Sequence, residues 1–122
     1  MSQEQHSDCI EACNACAEAC EHCADACLSE SDVKMMAECI RLDRDCADIC
    51  RLAAALMSRD SRFAAQICQL CAVICDACAV ECEKHEADHC RACAEACRKC
   101  ADECRRMAQG SRTASAVAGA HA

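Results

Sequence analysis

Nineteen of the 122 residues are cysteine, and eighteen of them lie three or four residues from another cysteine. The first run is Cys9, Cys13, Cys16, Cys20, Cys23 and Cys27, with steps of 4, 3, 4, 3 and 4. A second is Cys68, Cys71, Cys75, Cys78 and Cys82, and a third is Cys90, Cys93, Cys97, Cys100 and Cys104. Cys39, Cys46 and Cys50 form a sparser set between them. Alternating steps of three and four mark the inward stripe of an α-helix in a bundle, where Leu or Ile usually stands. Thiols in those positions can form disulfides, bind soft metals, hold iron–sulfur clusters or exchange redox equivalents.

Each chemistry makes its own geometric demand. A disulfide wants Cβ atoms about 3.5–4.5 Å apart, whereas helical neighbours three or four residues apart sit at about 5–6 Å. The cysteine total is also odd. The same spacing suits a metal held between two thiolates, because two metal–sulfur bonds of about 2.3 Å span about 4–5 Å. Eight C-x-x-x-C pairs meet that condition, and six C-x-x-C links join several of them into ladders. A tetrahedral zinc site of four thiolates carries a net charge of about −2, which is costly to repeat in a dry core. Cu(I) selects thiolate, tolerates low coordination numbers and replaces one thiol proton per ion, so about one copper per cysteine leaves the core neutral. Iron–sulfur clusters use a few thiols from loop motifs. Thiol redox catalysis by C-x-x-C belongs to a βαβ context and needs one exposed, low-pKa cysteine, and no cysteine stands out here. The residues therefore favour a non-enzymatic Cu(I) store. A general zinc, cadmium or silver buffer is one alternative reading, and a thiol oxidoreductase is another.

Four helices must position these thiols, over about residues 4–28, 33–57, 62–84 and 87–108. Absent Pro, two Gly and abundant Ala favour helix. Ser29 to Asp32 and Ser58 to Ser61 supply turns and caps. Gly110 fits a C-cap for the fourth helix. Short turns imply antiparallel neighbours, hence an all-α, up-down-up-down four-helix bundle over residues 1–110 with a disordered tail over 111–122. On helix 2, Met35, Leu42, Ala53 and Met57 are predicted to fill the remaining core phase. A second apolar stripe, Ile49, Leu52 and Leu56 on helix 2 with Ile67, Leu70, Val73 and Ile74 on helix 3, predicts a self-association surface. Leu, Ile, Val and Phe together number 15, so the empty fold is expected to be marginal and to gain stability when its core is filled.

The remaining soft donors sort to the two bundle ends. His6, Cys9, Met57, Phe63 and Met107 belong at one, and Cys27, Met35, Met36, Cys39, Cys82, His85, His89 and Cys90 at the other. The second end has more donors, and its His85-x-x-x-His89 pair places both rings near one face. His85, His89 and Met36 are therefore predicted to form a copper mouth. His22 and His121 read as surface and tail residues. A net charge of −8 argues against nucleic acid as a partner. No run is expected to reach transmembrane length, and the N-terminus lacks the basic and apolar regions of an export signal, so the expected location is the cytoplasm, without a membrane partner.

The run from Cys9 to Cys16 and the run from His89 to Cys100 resemble the bacterial four-helix-bundle copper storage proteins, and the similarity extends over about residues 4–108. The missing export signal matches the cytosolic branch. The resemblance implies a homotetramer of bundles, each storing many Cu(I) ions on the inward cysteines from Cys9 to Cys104. It also implies a His- and Met-bearing end for metal access. Proteins that donate or accept the copper are not identified by it.

Overall fold

The computed structural model describes residues 2–119, with side chains over 6–110. Four α-helices follow in order: α1 (Ser2–Cys27), α2 (Ala37–Ser58), α3 (Ala64–Cys82) and α4 (Asp88–Gly119). No strand occurs among the described residues. Each helix packs on two neighbours, α1 and α3 both lying between α2 and α4. The four elements close a square bundle in the predicted up-down-up-down order.

The turns explain the boundaries. Asp32 accepts a hydrogen bond at Oδ1 from the Met35 backbone N–H at 3.2 Å, which starts a single 3₁₀ turn over Val33–Met36 before α2 begins. At the next turn Asp60 adopts φ 54, and Ser61 Oγ accepts from the Phe63 N–H at 3.1 Å. Between α3 and α4 the chain leaves the helix after Cys82, turns through Glu83 and Lys84, and resumes helix at Asp88, whose charge sits in the first turn of α4. Helical backbone of α4 continues past Gly110 to Gly119, while residues 120–122, with His121, lie outside the described residues. The 3₁₀ turn also shifts the phase of α2. Met35 is 65% exposed, and Met36 takes the inward position instead.

Small residues let the helices approach one another. Ala12, Ala17, Ala47, Ala53, Ala72, Ala79, Ala94 and Ala101 are buried beside the cysteines, so the core consists almost wholly of thiols and methyl groups. That composition gives α3 a mean hydropathy of 1.5 over 19 residues, enough by length and composition to cross a bilayer, contrary to the sequence expectation. Its thiol face is turned into the bundle. Of the second apolar stripe, Ile49, Leu56, Ile67 and Ile74 pack on the core, whereas Leu52, Leu70 and Val73 remain exposed.

Candidate metal centre

The nineteen cysteines are free thiols, and all of them are buried: Cys9 is 3% exposed and the rest 0%. Their arrangement follows from antiparallel register. Between α1 and α4, Cys9 pairs with Cys104 at 3.7 Å, Cys13 with Cys100 at 3.6 Å, Cys16 with Cys97 at 3.6 Å and Cys20 with Cys93 at 3.6 Å, all Sγ to Sγ. Between α2 and α3, Cys39 pairs with Cys82 at 3.6 Å, Cys46 with Cys75 at 3.5 Å and Cys50 with Cys71 at 3.7 Å. Cys16 to Cys46, at 3.7 Å, ties the two halves together.

Stacked in this register, the inward residues form layers of one residue per helix. From the His6 end they are Cys9, Ala53, Cys68 and Cys104; then Cys13, Cys50, Cys71 and Cys100; then Cys16, Cys46, Cys75 and Cys97. Cys20, Asp43, Cys78 and Cys93 follow, then Cys23, Cys39, Cys82 and Cys90, with Cys27 and Met36 beyond. Quartets such as Cys13, Cys71, Cys100 and Cys104, or Cys20, Cys78, Cys93 and Cys97, hold all four Sγ atoms within 4.8 Å of one another. Along a single helix the i,i+4 separations are 3.8–4.0 Å, as between Cys71 and Cys75 or Cys16 and Cys20. The closest contacts thus run between helices, whereas the sequence points first to pairs along one helix.

Asp43 interrupts the thiols. It is fully buried, and its carboxyl meets Cys78 Sγ at 3.2 Å and Cys93 Sγ at 3.3 Å from Oδ1, with Cys82 at 3.7 Å and Cys39 at 3.8 Å. Burial, followed by repulsion from a charged Cys93, pushes its pKa up to about 10, so its carboxyl is held as a neutral acid near pH 7. Burial also raises Cys90, to about 11, and Cys27.

At the α4 start, His89 turns inward. Its Nδ1 lies 3.5 Å from Cys90 Sγ, 3.6 Å from Cys23 Sγ and 3.9 Å from Cys27 Sγ. Its Nε2–H donates to Glu30 Oε2 at 2.9 Å. That bond fixes the tautomer and presents the Nδ1 lone pair to the three thiols, the usual carboxylate–histidine–metal arrangement. Met36, 5% exposed, covers the same end. His85 lies in the non-helical segment before Asp88 and His89 in the first turn of α4, so the two are not i,i+4 neighbours on one helix. His85 Nε2–H donates to Glu81 Oε2 at 3.1 Å, and the ring lines a surface cleft of about 630 Å³ with Glu83, Glu86, Arg91 and Arg98.

A stack of buried thiol quartets closed by a tautomer-fixed imidazole is a soft-metal container. The profile of the copper storage protein family matches residues 2–109. The chain belongs to this family. Among solved structures, a Cu(I)-bound copper storage protein is 55% identical, with a TM-score of 0.81 over 88% of this chain and 99% of its own. The apo form of copper storage protein 3 from Bacillus subtilis is 54% identical, with a TM-score of 0.78 over 84% of this chain and 98% of its own. A cytosolic copper storage protein from Streptomyces lividans, described during copper loading with five coppers, is 45% identical, with a TM-score of 0.85 over 88% and 95%. Comparison with curated proteins gives no match.

Within this copper storage fold, two site residues escape a reading of spacing by chemistry. Asp43 does carry a signal: Cys39, Asp43, Cys46 and Cys50 repeat the 4, 3, 4 step of the all-cysteine runs. An acid is normally assigned to the surface, and Leu42, half-buried, is the residue that apolar patterning selects instead. Glu30 lies in a turn, and its approach to His89 depends on how α1 and α4 pack, so no local signal reports it. Phe63, placed by sequence at the His6 end, is 52% exposed, beneath the Arg62 guanidinium at 4.9 Å.

Proposed function

We propose that this chain is a cytosolic store for Cu(I), binding up to about one ion per cysteine inside the bundle. The observation that supports this is the stack of quartets with Sγ atoms within 4.8 Å, all sealed from solvent. Sulfur atoms at that separation can be bridged by soft ions at metal–sulfur distances of about 2.3 Å without moving a helix. Each Cu(I) replaces one thiol proton, so filling keeps the core electrically neutral, whereas a divalent ion on four thiolates leaves two negative charges per site in a medium that penalises them. With every cysteine buried, none offers the accessible thiolate that oxidoreductase chemistry requires. Cys9 through Cys104 on the four inward stripes serve as ligands. His89 and Met36 form the mouth through which copper reaches Cys23, Cys27 and Cys90, and His85 stands at the approach to it.

Self-association completes the proposal. Leu52 on α2 with Leu70 and Val73 on α3 leaves an apolar face on the outside of the bundle, in keeping with a tetramer of bundles. A pure monomer by sedimentation at micromolar concentration overturns the tetramer and leaves the storage reading intact. Storage itself is tested by anaerobic Cu(I) titration against a competing chelator. Saturation well above four ions per chain is expected, approaching the thiol count. Saturation near four means a single small cluster and overturns the store.

A further inference from the structure

At the end of the ladder away from His89, one buried polar atom has no assigned role. His6 is only 9% exposed, and its Nδ1 has no hydrogen-bond partner among the described residues. A buried imidazole nitrogen left unpaired is costly, and such groups in folded proteins are normally satisfied by something.

The register shows what surrounds it. His6 lies one step before Cys9 on the α1 stripe, three residues away. Cys13 faces Cys100 and Cys9 faces Cys104 across α1 and α4, so the next step sets His6 opposite Met107. Cys16 faces Cys46 across α1 and α2, and the same register carried outward sets His6 opposite Met57. Cys50 faces Cys71 across α2 and α3, which sets Met57 opposite Ala64. The terminal layer is therefore His6, Met57, Ala64 and Met107, directly above the thiols of Cys9, Cys68 and Cys104. Met57 is fully buried, Ala64 is 4% exposed, and Met107 packs partly buried on the core. No carboxylate belongs to this layer among the described residues. One imidazole nitrogen and two thioethers over three thiols form a soft donor set, in which the thioethers favour Cu(I) and hard ions find no oxygen ligand.

We propose that this end is a Cu(I) site in its own right, in which His6 Nδ1, the Cys9 and Cys104 thiolates and the Met57 thioether terminate the ladder. The ladder is then capped by a histidine at both ends. This rests on the copper storage reading, which supplies the ion. The copper bonds to Nδ1, to the Met57 thioether and to the Cys9 and Cys104 sulfurs; it displaces one thiol proton, and the second thiolate, bridging to a copper of the adjoining layer, gives up its proton to that ion.

The test is imidazole ¹⁵N NMR of the whole protein during anaerobic Cu(I) titration. The His6 Nδ1 resonance is expected to move late in the titration to the position of a metal-bound nitrogen. Separately, His6→Gln and Met57→Leu are each expected to lower saturation by one ion per chain with helical content unchanged. A chain that fills to its thiol count with His6 Nδ1 unmoved overturns this site and leaves storage standing. A chain that takes up no Cu(I) overturns the storage reading and this site with it.

Discussion

The two ends of the thiol ladder use the same kinds of donor in opposite surroundings. At the α4 start, His89 holds its Nδ1 within 3.9 Å of three thiols while Glu30, 39% exposed at its side chain, grips the other nitrogen and reaches toward solvent. Asp43 adds a second carboxyl two layers further in. At the opposite end His6 Nδ1 has no hydrogen-bond partner among the described residues, its facing residues are methionines, and Ala53 stands where a fourth thiol would complete the first layer. The difference separates exchange from retention. A carboxylate-held imidazole at the surface gives an arriving ion a preformed nitrogen and a path for the displaced proton, whereas an apolar cap holds an ion and slows its loss. Copper should therefore enter at His89 and reach the His6 end last, where the apolar cap slows its loss.

The largest effect should come from removing a layer. Changing Cys16, Cys46, Cys75 and Cys97 together to Ala should cost about four ions of capacity with little change in initial uptake, as one copper per thiol requires. The same operation on Cys23, Cys39, Cys82 and Cys90 should cost as many ions and slow uptake as well. Anaerobic titration combined with stopped-flow loading measures both, and equal uptake rates in the two variants would break the distinction between the ends. Next in size, His89→Ala should slow initial loading about 10- to 100-fold, and Glu30→Gln should act in the same direction through the ring it orients. His6→Ala should leave the initial rate unchanged.

Asp43 sharpens the comparison through pH. Folded apo protein keeps the Asp43 proton up to about pH 10, because burial raises its pKa, whereas the unfolded chain releases it near about 3.9. Between those values unfolding expels a proton, so the contribution of Asp43 to stability is fully present below about pH 4 and is lost as pH rises toward 10, by at most about 1.4 kcal/mol per pH unit. Asp43→Asn should flatten that slope and stabilise the apo protein at neutral pH. Denaturant melts of both forms across about pH 5 to 8 check this, and parallel slopes would contradict the buried acid. The smallest expected change is Ala53→Cys, which fills the gap in the Cys9 layer and should raise saturation by one ion without altering uptake.

Much of this architecture is legible in the sequence because the chemistry and the packing signal coincide. The steps of three and four that define a helix's inner face are carried by the ligands themselves, so the Cys9–Cys27 stripe reveals both the helix and the site. Other features depend on contacts between helices. Which thiols form quartets is set by the antiparallel register, and no local spacing states it. Met36 replaces Met35 because one 3₁₀ turn rephases the start of α2. His85 and His89 are spaced as i,i+4 neighbours, but only His89 lies on α4. Helical backbone continues past Gly110, since glycine weakens a helix without forbidding it.

The layer stack also makes capacity a matter of length. Inward positions recur twice in every seven residues, so one heptad added to each of four helices contributes two layers, or about eight donor slots, without redesign of those already present. Each layer touches only the ones above and below it. Such a store is graduated like a ruler, and its reserve can be lengthened or trimmed by insertion or deletion of heptads while the fittings at either tip remain unchanged.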